Sequence, residues 1–214
     1  MIIPHLILGS TSPYRKKLLA SLGVTFTQMR PDTDESPYKG EDPHSLALRL
    51  GVSKAQSVAN QLQKEARWIC IGSDQVCHLE RTPYGKPGTA EEAAIQLTAF
   101  SGCWVTFSTS LALITSDGQK FSAVEDYECR FRTLSSNEIE SYIQLDQPLD
   151  CAGSIKVEQA GISLLCDARG RDINSLYGLP LMLLSEALKS FSYSIYDFTN
   201  TPQAIEYNDL WLKI

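Results

Sequence analysis

The sequence predicts an α/β protein built around a mixed β-sheet. Candidate strands and helices alternate along most of the 214 residues, which is typical of this fold class. Two long β-rich segments, Val105 to Thr115 and Gln119 to Arg132, are joined by Ser116-Asp117-Gly118, a typical hairpin signal. The sequence shows no repeat and no long linker. We therefore expect one domain or two closely joined lobes.

Composition excludes several classes of protein. The net charge of −6 argues against a general nucleic-acid binder, whose affinity depends on a basic surface. No apolar segment reaches the length of a membrane span, and the N-terminus does not resemble a signal peptide. The six cysteines form no C-x-x-C pair, so structural zinc is not expected. Reduced thiols in the cytoplasm fit this pattern, with no membrane partner.

The first element is a strand followed by a capped helix. Leu6 to Leu8 is a short apolar run ending at Gly9, after which Ser12 suits the N-cap and Pro13 the first helical position. The free N–H groups of a helix N-terminus attract anions. Four nearby side chains would strengthen a phosphate site: Ser10, Ser12, Arg15 and Lys16. A capped helix with a solvated basic turn is the alternative.

An acidic loop and a long helix follow a second strand. Val24 to Met29 alternates like a strand, and the proline-bounded loop after it carries Asp32, Asp34 and Glu35. Asp42 and Pro43 then begin a predicted helix of about 20 residues, ending near Leu62 and carrying Lys54. Gly51 weakens the middle of this helix by roughly 1 kcal/mol relative to alanine.

A carboxylate follows the next predicted strand. Trp68 to Ile71 is apolar and leads into Gly72-Ser73-Asp74-Gln75. Open α/β sheets hold their chemistry at such strand ends, although an aspartate in a turn is also common. The next segment, Tyr84 to Gly88, is predicted as a loop that displays Lys86.

The remaining elements are read from capping and turn signals. Thr89 with Glu92, and Ser135 with Glu138, are two capping boxes that begin helices to about Phe100 and Gln144. A polar loop covers residues 148–158. A last strand is predicted from Ile162 to Cys166, and a last helix runs from Pro180 to about Phe191.

Seven motifs together resemble the Maf family of nucleoside triphosphate pyrophosphatases over about residues 5 to 191. In chain order they are S-T-S-P-Y-R-K-K-L-L, D-E-S-P, R-L-x-x-x-K-A, G-S-D-Q, G-K-P, D-C-A-G-S-x-K and G-L-P. The resemblance implies an elongated mixed sheet flanked by helices, as in inosine triphosphatase-like proteins, with two lobes and a cleft between them. Two departures are Lys16 in place of a second arginine and Gly51 in place of the usual alanine.

The resemblance also implies a reaction and roles for individual residues. Water would attack the α-phosphorus of a nucleoside triphosphate, giving the monophosphate and pyrophosphate, with Mg²⁺ or Mn²⁺ as cofactor. Asp74 would act as general base, assisted by Lys54 and Lys86. Glu35 and Asp74 would bind the metal, although Asp32 or Asp34 could take the place of Glu35. Ser10, Ser12, Arg15 and Lys16 would bind the phosphates.

Three residues resemble the branch of the family that acts on 7-methyl-GTP: Tyr14, Gln75 and Glu158. Two other hypotheses remain open at this stage. One is a sister pyrophosphatase for dTTP, UTP, CTP or other modified nucleotides. The other is a nucleotide-binding regulator of cell division with weak turnover.

The resemblance to the Maf family ends at about residue 191, and we divide the sequence into two parts there. Residues 1–191 form the predicted catalytic domain, and residues 192–214 form a C-terminal extension. This extension contains six large apolar side chains: Tyr193, Ile195, Tyr196, Phe198, Leu210 and Trp211. Because so much apolar surface seldom stays exposed, we expect it to pack on its own domain or across a homodimer interface.

Overall fold

The computed structural model describes residues 2–62 and 66–199. In this part of the chain, eight strands form one sheet: β1 His5–Gly9, β2 Phe26–Met29, β3 Trp68–Gly72, β4 Gln75–Leu79, β5 Thr82–Tyr84, β6 Trp104–Thr115, β7 Lys120–Phe131 and β8 Leu165–Arg169. The helices are α1 Pro13–Ser21, α2 Pro43–Ala59, α3 Ala90–Phe100, α4 Ser136–Asp146, α5 Ile173–Leu176 and α6 Leu181–Ser190. Short 3-10 turns cover Ala152–Ser154, Ala160–Leu164 and Ile195–Phe198.

The sheet is open and mixed. Its order is β2-β1-β3-β6-β4-β5, and β7 pairs with both β6 and β8. β1 is parallel to β2 and β3, whereas the other pairs are antiparallel. β6 pairs with β3 through residues 112–115 and with β4 through residues 106–109. β3 and β4 therefore lie end to end along the same side of β6. Ser73 and Asp74 connect them beside the middle of β6, where the line of paired strands is interrupted.

The apolar core has separate parts on the two sides of this break. β4, α3, α4 and the adjoining parts of β6 and β7 share one cluster, centred on Phe100, Phe107 and Phe131. β1, β3, α1 and α6 share a second cluster, and α2 covers the opposite face of β1 and β3. β6 and β7 join the two resulting lobes: the first lobe contains β1, β3, α1, α2 and α6, and the second contains β4, α3 and α4. This arrangement confirms the predicted α/β class with its elongated sheet.

Local signals in the sequence are confirmed where the helices begin. The side chain of Ser12 accepts a hydrogen bond from the N–H of Arg15 at the start of α1. Ser135 and Glu138 form both bonds of a capping box. The long hairpin is also present, with Gly118 at φ +90° in its turn. Thr89 caps α3 through the N–H of Glu92.

The structure differs from the sequence analysis at three places. β4 and β5 were not predicted, and Gln75 lies in a strand. The strand predicted from Ile162 to Cys166 begins only at Leu165, because Gly161 turns tightly against the backbone of Lys156, leaving residues 160–164 in a 3-10 turn. Helix α2 ends at Ala59, before Leu62.

The beginning of the predicted extension packs on the first lobe. Phe198 is buried, and Tyr193 and Ile195 pack against the same cluster as α1 and α6. The N–H of Thr25 donates to the carbonyl of Phe198 at 2.9 Å. Leu210 and Trp211 lie outside the described residues, and the division at residue 191 stays a prediction. None of the helices in the described ranges is both long and apolar enough to span a bilayer.

Buried thiols predict a loss of stability at alkaline pH. All six cysteines are free, and burial raises the pKa of Cys70 and of Cys129 to about 12. A cysteine in the unfolded chain has a pKa of about 8.5. The stability that the buried thiols contribute is therefore complete below that pH and is lost as the pH rises through the pKa values of the folded protein. We expect the urea midpoint to fall steadily from about pH 8.5 upward. A midpoint that stays constant up to the titration of the folded thiols would contradict this account.

Candidate active site

A cleft of about 590 Å³ lies between the two lobes. Ten residues that the sequence indicated line it together: Ser10, Ser12, Tyr14, Arg15, Glu35, Lys54, Asp74, Gln75, Lys86 and Glu158. Lys16 is exposed and does not line the cleft. The volume falls within the range of small-molecule sites.

The parallel part of the sheet explains why these residues meet. Ser10 follows β1, Arg30 follows β2, and Asp74 follows the end of β3 by two residues. The carboxyl ends of these three parallel strands share one edge of the sheet, which is where open α/β sheets bind ligands. Arg30 lines the cleft as well. Arg30 was not among the residues predicted from the sequence, although its position directly after a strand was a usable signal.

Lys54 joins the two candidate metal-binding carboxylates. Its ammonium Nζ lies 2.5 Å from Oδ1 of Asp74 and 2.7 Å from Oε1 of Glu35. Lys54 is only 6% exposed, whereas the Glu35 side chain is 60% exposed. A lysine this buried needs charged partners. The two carboxylates provide them, so Lys54 is not a solvated surface lysine.

Close packing of α2 on β3 places Lys54 at this depth. A side chain on Gly72 would overlap the carbonyl of Gly51 and lie 2.6 Å from the N–H nitrogen of Ala55. The helix backbone can therefore touch the strand only because residue 72 has no Cβ. Lys54 projects from the same turn of α2 toward the end of β3.

The guanidinium of Arg15 is fixed against the wall of the cleft that contains Gly178. Its Nε donates to the carbonyl of Gly178 at 2.7 Å, and the hydroxyl of Ser73 donates to the same oxygen at 3.0 Å. Burial lowers the pKa of Arg15, while the Asp74 and Glu35 carboxylates oppose that shift. An arginine stays charged regardless, and four of its five N–H donors are not needed for the Gly178 contact.

The two serines of the first motif have different local roles. Ser10 is buried, and its hydroxyl accepts from the N–H of Ser12 at 3.1 Å. The hydroxyl of Ser12 caps α1. Both lie at the positive end of the helix dipole, which is the position the phosphate-site hypothesis requires.

Lys86 reaches the cleft from the second lobe. The carbonyl of Gly85, its neighbour, accepts from the N–H of Gly153 and from Nε2 of Gln96, both at 3.3 Å. Ser154 in turn donates to Oε1 of Gln96 at 2.7 Å. The loop of residues 148–158 therefore supports the segment that carries Lys86. Lys86 itself is exposed at the cleft.

Gly153 is required for this contact between loops. Its φ is +70°, and an added Cβ would overlap the sulfur of Cys77. Both observations exclude an ordinary side chain here. On the far side of the loop, Nζ of Lys156 donates to the carbonyls of Asp146 and Gln147. These bonds hold the loop ends that flank the cleft.

Tyr14 and Glu158 face the cleft from opposite lobes. The hydroxyl of Tyr14 contacts the sulfur of Cys151 at 3.8 Å, which links α1 to the 148–158 loop. Burial is the main cause that raises the pKa of Tyr14; contact with Cys151 and the charges of Asp150 and Glu158 add to it. Tyr14 is thus a neutral aromatic side chain near a carboxylate. Cys151 and Tyr177 also line the cleft, and neither was predicted from the sequence as a site residue.

Gln75 is hydrogen-bonded through its side-chain amide to the backbone of α5. Its side-chain Nε2 donates to the carbonyls of Ser175 and Leu176 at 2.8 and 3.0 Å. Thr109 also donates to the carbonyl of Ser175. These bonds hold α5, which leads directly to Gly178 and so to Arg15. The amide of Gln75 therefore supports the wall of the cleft that Arg15 contacts.

The donor set fits a magnesium-type cation. Asp34 caps the turn at Ser36 and does not line the cleft, whereas Asp32 and Glu35 do. Asp74 and Glu35 contact one ammonium, so their oxygens converge. No group of three or more His, Cys, Asp or Glu side chains suited to a metal occurs in residues 2–62 and 66–199. Two carboxylates are enough for Mg²⁺, which takes its other ligands from substrate phosphates and water.

The chain matches the family model described as Maf-like protein over residues 5–191. It belongs to the Maf family. A 7-methyl-GTP pyrophosphatase of Xanthomonas oryzae pv. oryzae (strain KACC10331 / KXO85) is 43% identical over 194 residues, covering 91% of this chain and all of the relative. A solved nucleoside-triphosphatase / dITP/XTP pyrophosphatase from Mycobacterium abscessus superposes with a TM-score of 0.39 at 17% identity, over 61% of this Maf protein and 75% of that chain.

Proposed function

We propose that this Maf protein hydrolyses 7-methyl-GTP to 7-methyl-GMP and pyrophosphate. The observation that carries the proposal is the placement of Asp74, Lys54 and Glu35 in the cleft that Arg15 also lines. A carboxylate beside cations is suited to activating a water next to a polyphosphate. The name of the 43% identical relative supports the same substrate.

In the proposed reaction, Asp74 accepts a proton from water. Contact of Oδ1 with Lys54 leaves the second carboxylate oxygen to bind the water. The water oxygen forms a bond to the α-phosphorus as its proton passes to Asp74. The bond from that phosphorus to the oxygen of the β-phosphate breaks, and its electron pair leaves with pyrophosphate. Lys54 holds the carboxylate in place throughout.

The cations of the cleft neutralise the triphosphate. Arg15 and Lys54 come from the first lobe and Lys86 from the second, so the phosphates are held from both sides. Preorganised cations stabilise charge that develops on a leaving group. Arg30, directly after β2, belongs to the same group of cleft-lining cations. The hydroxyls of Ser10 and Ser12 complete the phosphate side.

A divalent cation is part of the proposal. Asp74 and Glu35 would hold it together with oxygens of the substrate phosphates, because hard carboxylate ligands suit Mg²⁺ and Mn²⁺. When bound, such a cation supplies positive charge to the phosphates and polarises water. Lys54, which contacts both carboxylates in the described structure, keeps them oriented toward the cleft.

Tyr14 and Glu158 are proposed to select the base. Methylation at N7 makes the guanine ring cationic, and an aromatic face attracts a cation by roughly 0.5–2 kcal/mol. Glu158 could accept both donors of the guanine Watson–Crick edge, and a bidentate contact of this kind discriminates by roughly 1–3 kcal/mol. Gln75, whose amide holds α5, acts in this proposal as a support for Arg15 and not as a base reader.

Substitutions at both positions test the choice of base. Tyr14→Arg and Glu158→Gln should lower kcat/KM for 7-methyl-GTP several-fold to about a hundred-fold, because each removes one attraction to the cationic purine. The loss on UTP should be smaller, or activity should rise. Steady-state kinetics with 7-methyl-GTP, GTP and UTP measure the difference.

Glu140→Gln is the matched control, since Glu140 is an exposed carboxylate on α4 away from the cleft. Equal losses on all three nucleotides would show that Tyr14 and Glu158 shape the cleft without reading the base. A preference of the wild type for UTP would instead indicate a sister pyrophosphatase.

A further inference from the structure

Ser110 contacts both polar groups of the Asp74 backbone. Its N–H donates to the carbonyl of Asp74 at 2.8 Å, and its hydroxyl accepts from the N–H of Asp74 at 3.0 Å. Ser110 is fully buried in the middle of β6, beside the break between β3 and β4. The Ser110 hydroxyl therefore gives the N–H of Asp74 a hydrogen-bond partner at the point where β6 stops pairing with β3 and begins to pair with β4.

Gly51 provides the space that this hydroxyl occupies. A Cβ built on Gly51 would overlap Oγ of Ser110 and lie 3.0 Å from its Cβ. The third nearest atom, the N of Asp74, would be at an ordinary 3.7 Å. Glycine is unfavourable in the interior of a helix, so its position in α2 matches the need to make room for Ser110.

The same contact sets the depth of α2. Lys54 lies one turn after Gly51 and reaches Asp74 at 2.5 Å. The Gly51–Ser110 contact thus fixes the distance between α2 and β6. Ser110 also fixes the backbone of Asp74 through its two hydrogen bonds. Both partners of the Lys54–Asp74 pair are positioned through one small region of packing.

We propose that Ser110 is a positioning residue for Asp74, and that Gly51 and Ser110 form a matched pair in which the missing side chain of one makes room for the hydroxyl of the other. The catalytic part of this inference rests on the proposed role of Asp74. The packing part does not, because it concerns only α2 and β6. The two parts therefore have separate tests.

Ser110→Ala tests the positioning role, since alanine keeps the Cβ and removes only the hydroxyl. We expect kcat for 7-methyl-GTP to fall roughly 10- to 100-fold with KM changed by less than about threefold, because misplacement of a catalytic group affects the transition state more than substrate binding. Ser108→Ala is the control. Ser108 is equally buried, lies two residues away on β6, and bonds to Asp126 instead of Asp74. Equal kinetic effects of the two variants would overturn the positioning role.

A double-mutant cycle of Gly51→Ala and Ser110→Gly tests the matched pair. We expect Gly51→Ala alone to lower Tm, because the new methyl group displaces the hydroxyl. In the Ser110→Gly background the same change should leave Tm unchanged or raise it, since the obstruction is gone and alanine favours the helix. Additive changes in Tm would overturn the pairing.

The Tm cycle needs no activity, and so the two hypotheses fail separately. A wild type without pyrophosphatase activity would contradict the proposed function while coupled Tm values still supported the matched pair. An active wild type whose Ser110→Ala variant keeps the wild-type kcat would contradict only the positioning role. Circular dichroism of each variant confirms that the measured rates belong to folded protein.

Discussion

Replacing Asp74 with asparagine is expected to lower kcat for 7-methyl-GTP by roughly 10²–10⁴, the usual contribution of a general base. The amide keeps the shape of the side chain and can still accept a bond from Lys54 through its oxygen, but it cannot take a proton from water. Nucleotide binding should remain largely intact because Arg15 and Lys86 are untouched. Single-turnover kinetics and calorimetric titration separate the two effects.

Asp126→Asn provides the control for this substitution. It makes the same carboxylate-to-amide change on β7, where Asp126 accepts from Ser108 and does not line the cleft. Its kcat should match that of the wild type. An Asp74→Asn variant that turns over within a few-fold of the wild type would show that another group accepts the proton.

Lys54→Met is expected to affect both activity and stability. Methionine has a similar length, but it leaves Asp74 and Glu35 without the ammonium that both contact. Loss of a preorganised charged donor should lower kcat by roughly 10²–10³. The free energy of unfolding should fall by about 1–3 kcal/mol, because the largely buried Asp74 carboxylate loses its partner. Glu35 adds little to this cost, since water reaches it.

Lys17→Met serves as the comparison for Lys54, because Lys17 is exposed on α1 and does not line the cleft. Urea unfolding and steady-state kinetics of both variants give the required values. If Lys54→Met and Lys17→Met have the same kcat and the same free energy of unfolding, the buried ion pair is neither catalytic nor stabilising.

The sequence was most informative where one local rule determines the structure. Ser12 and Pro13 predicted the start of α1 because capping depends on residues close together in the chain. The apolar run after Arg67 predicted β3, and the position of Asp74 beyond it predicted a residue at the sheet edge. The contact of Lys54 with Asp74 was not readable from spacing. It depends on how closely α2 packs against β3, which Gly72 permits.

The errors arise where long-range contacts override local signals. β4 lies beside β6, more than twenty residues later in the sequence, and β5 pairs with β4 across the turn at residues 80–81. Both strands are too short for their pattern alone to identify them. Gln75 was predicted as a specificity residue from its resemblance to the 7-methyl-GTP branch, and it lines the cleft; that its amide donates to a carbonyl of α5 a hundred residues later could not be predicted. Its residue type gave no signal of that partner. Arg30 was overlooked because an arginine before a proline-rich loop usually indicates only a solvated charge.

Hydrolysis of 7-methyl-GTP in ¹⁸O-labelled water with Mg²⁺ tests the central claim most directly. Mass spectrometry of the products distinguishes attack at the α-phosphorus from attack elsewhere, because the oxygen of the attacking water stays on the phosphorus it reaches. The account predicts labelled 7-methyl-GMP and unlabelled pyrophosphate, at a kcat/KM higher than for GTP or UTP. Label in the pyrophosphate, or release of 7-methyl-GDP with inorganic phosphate, would contradict it.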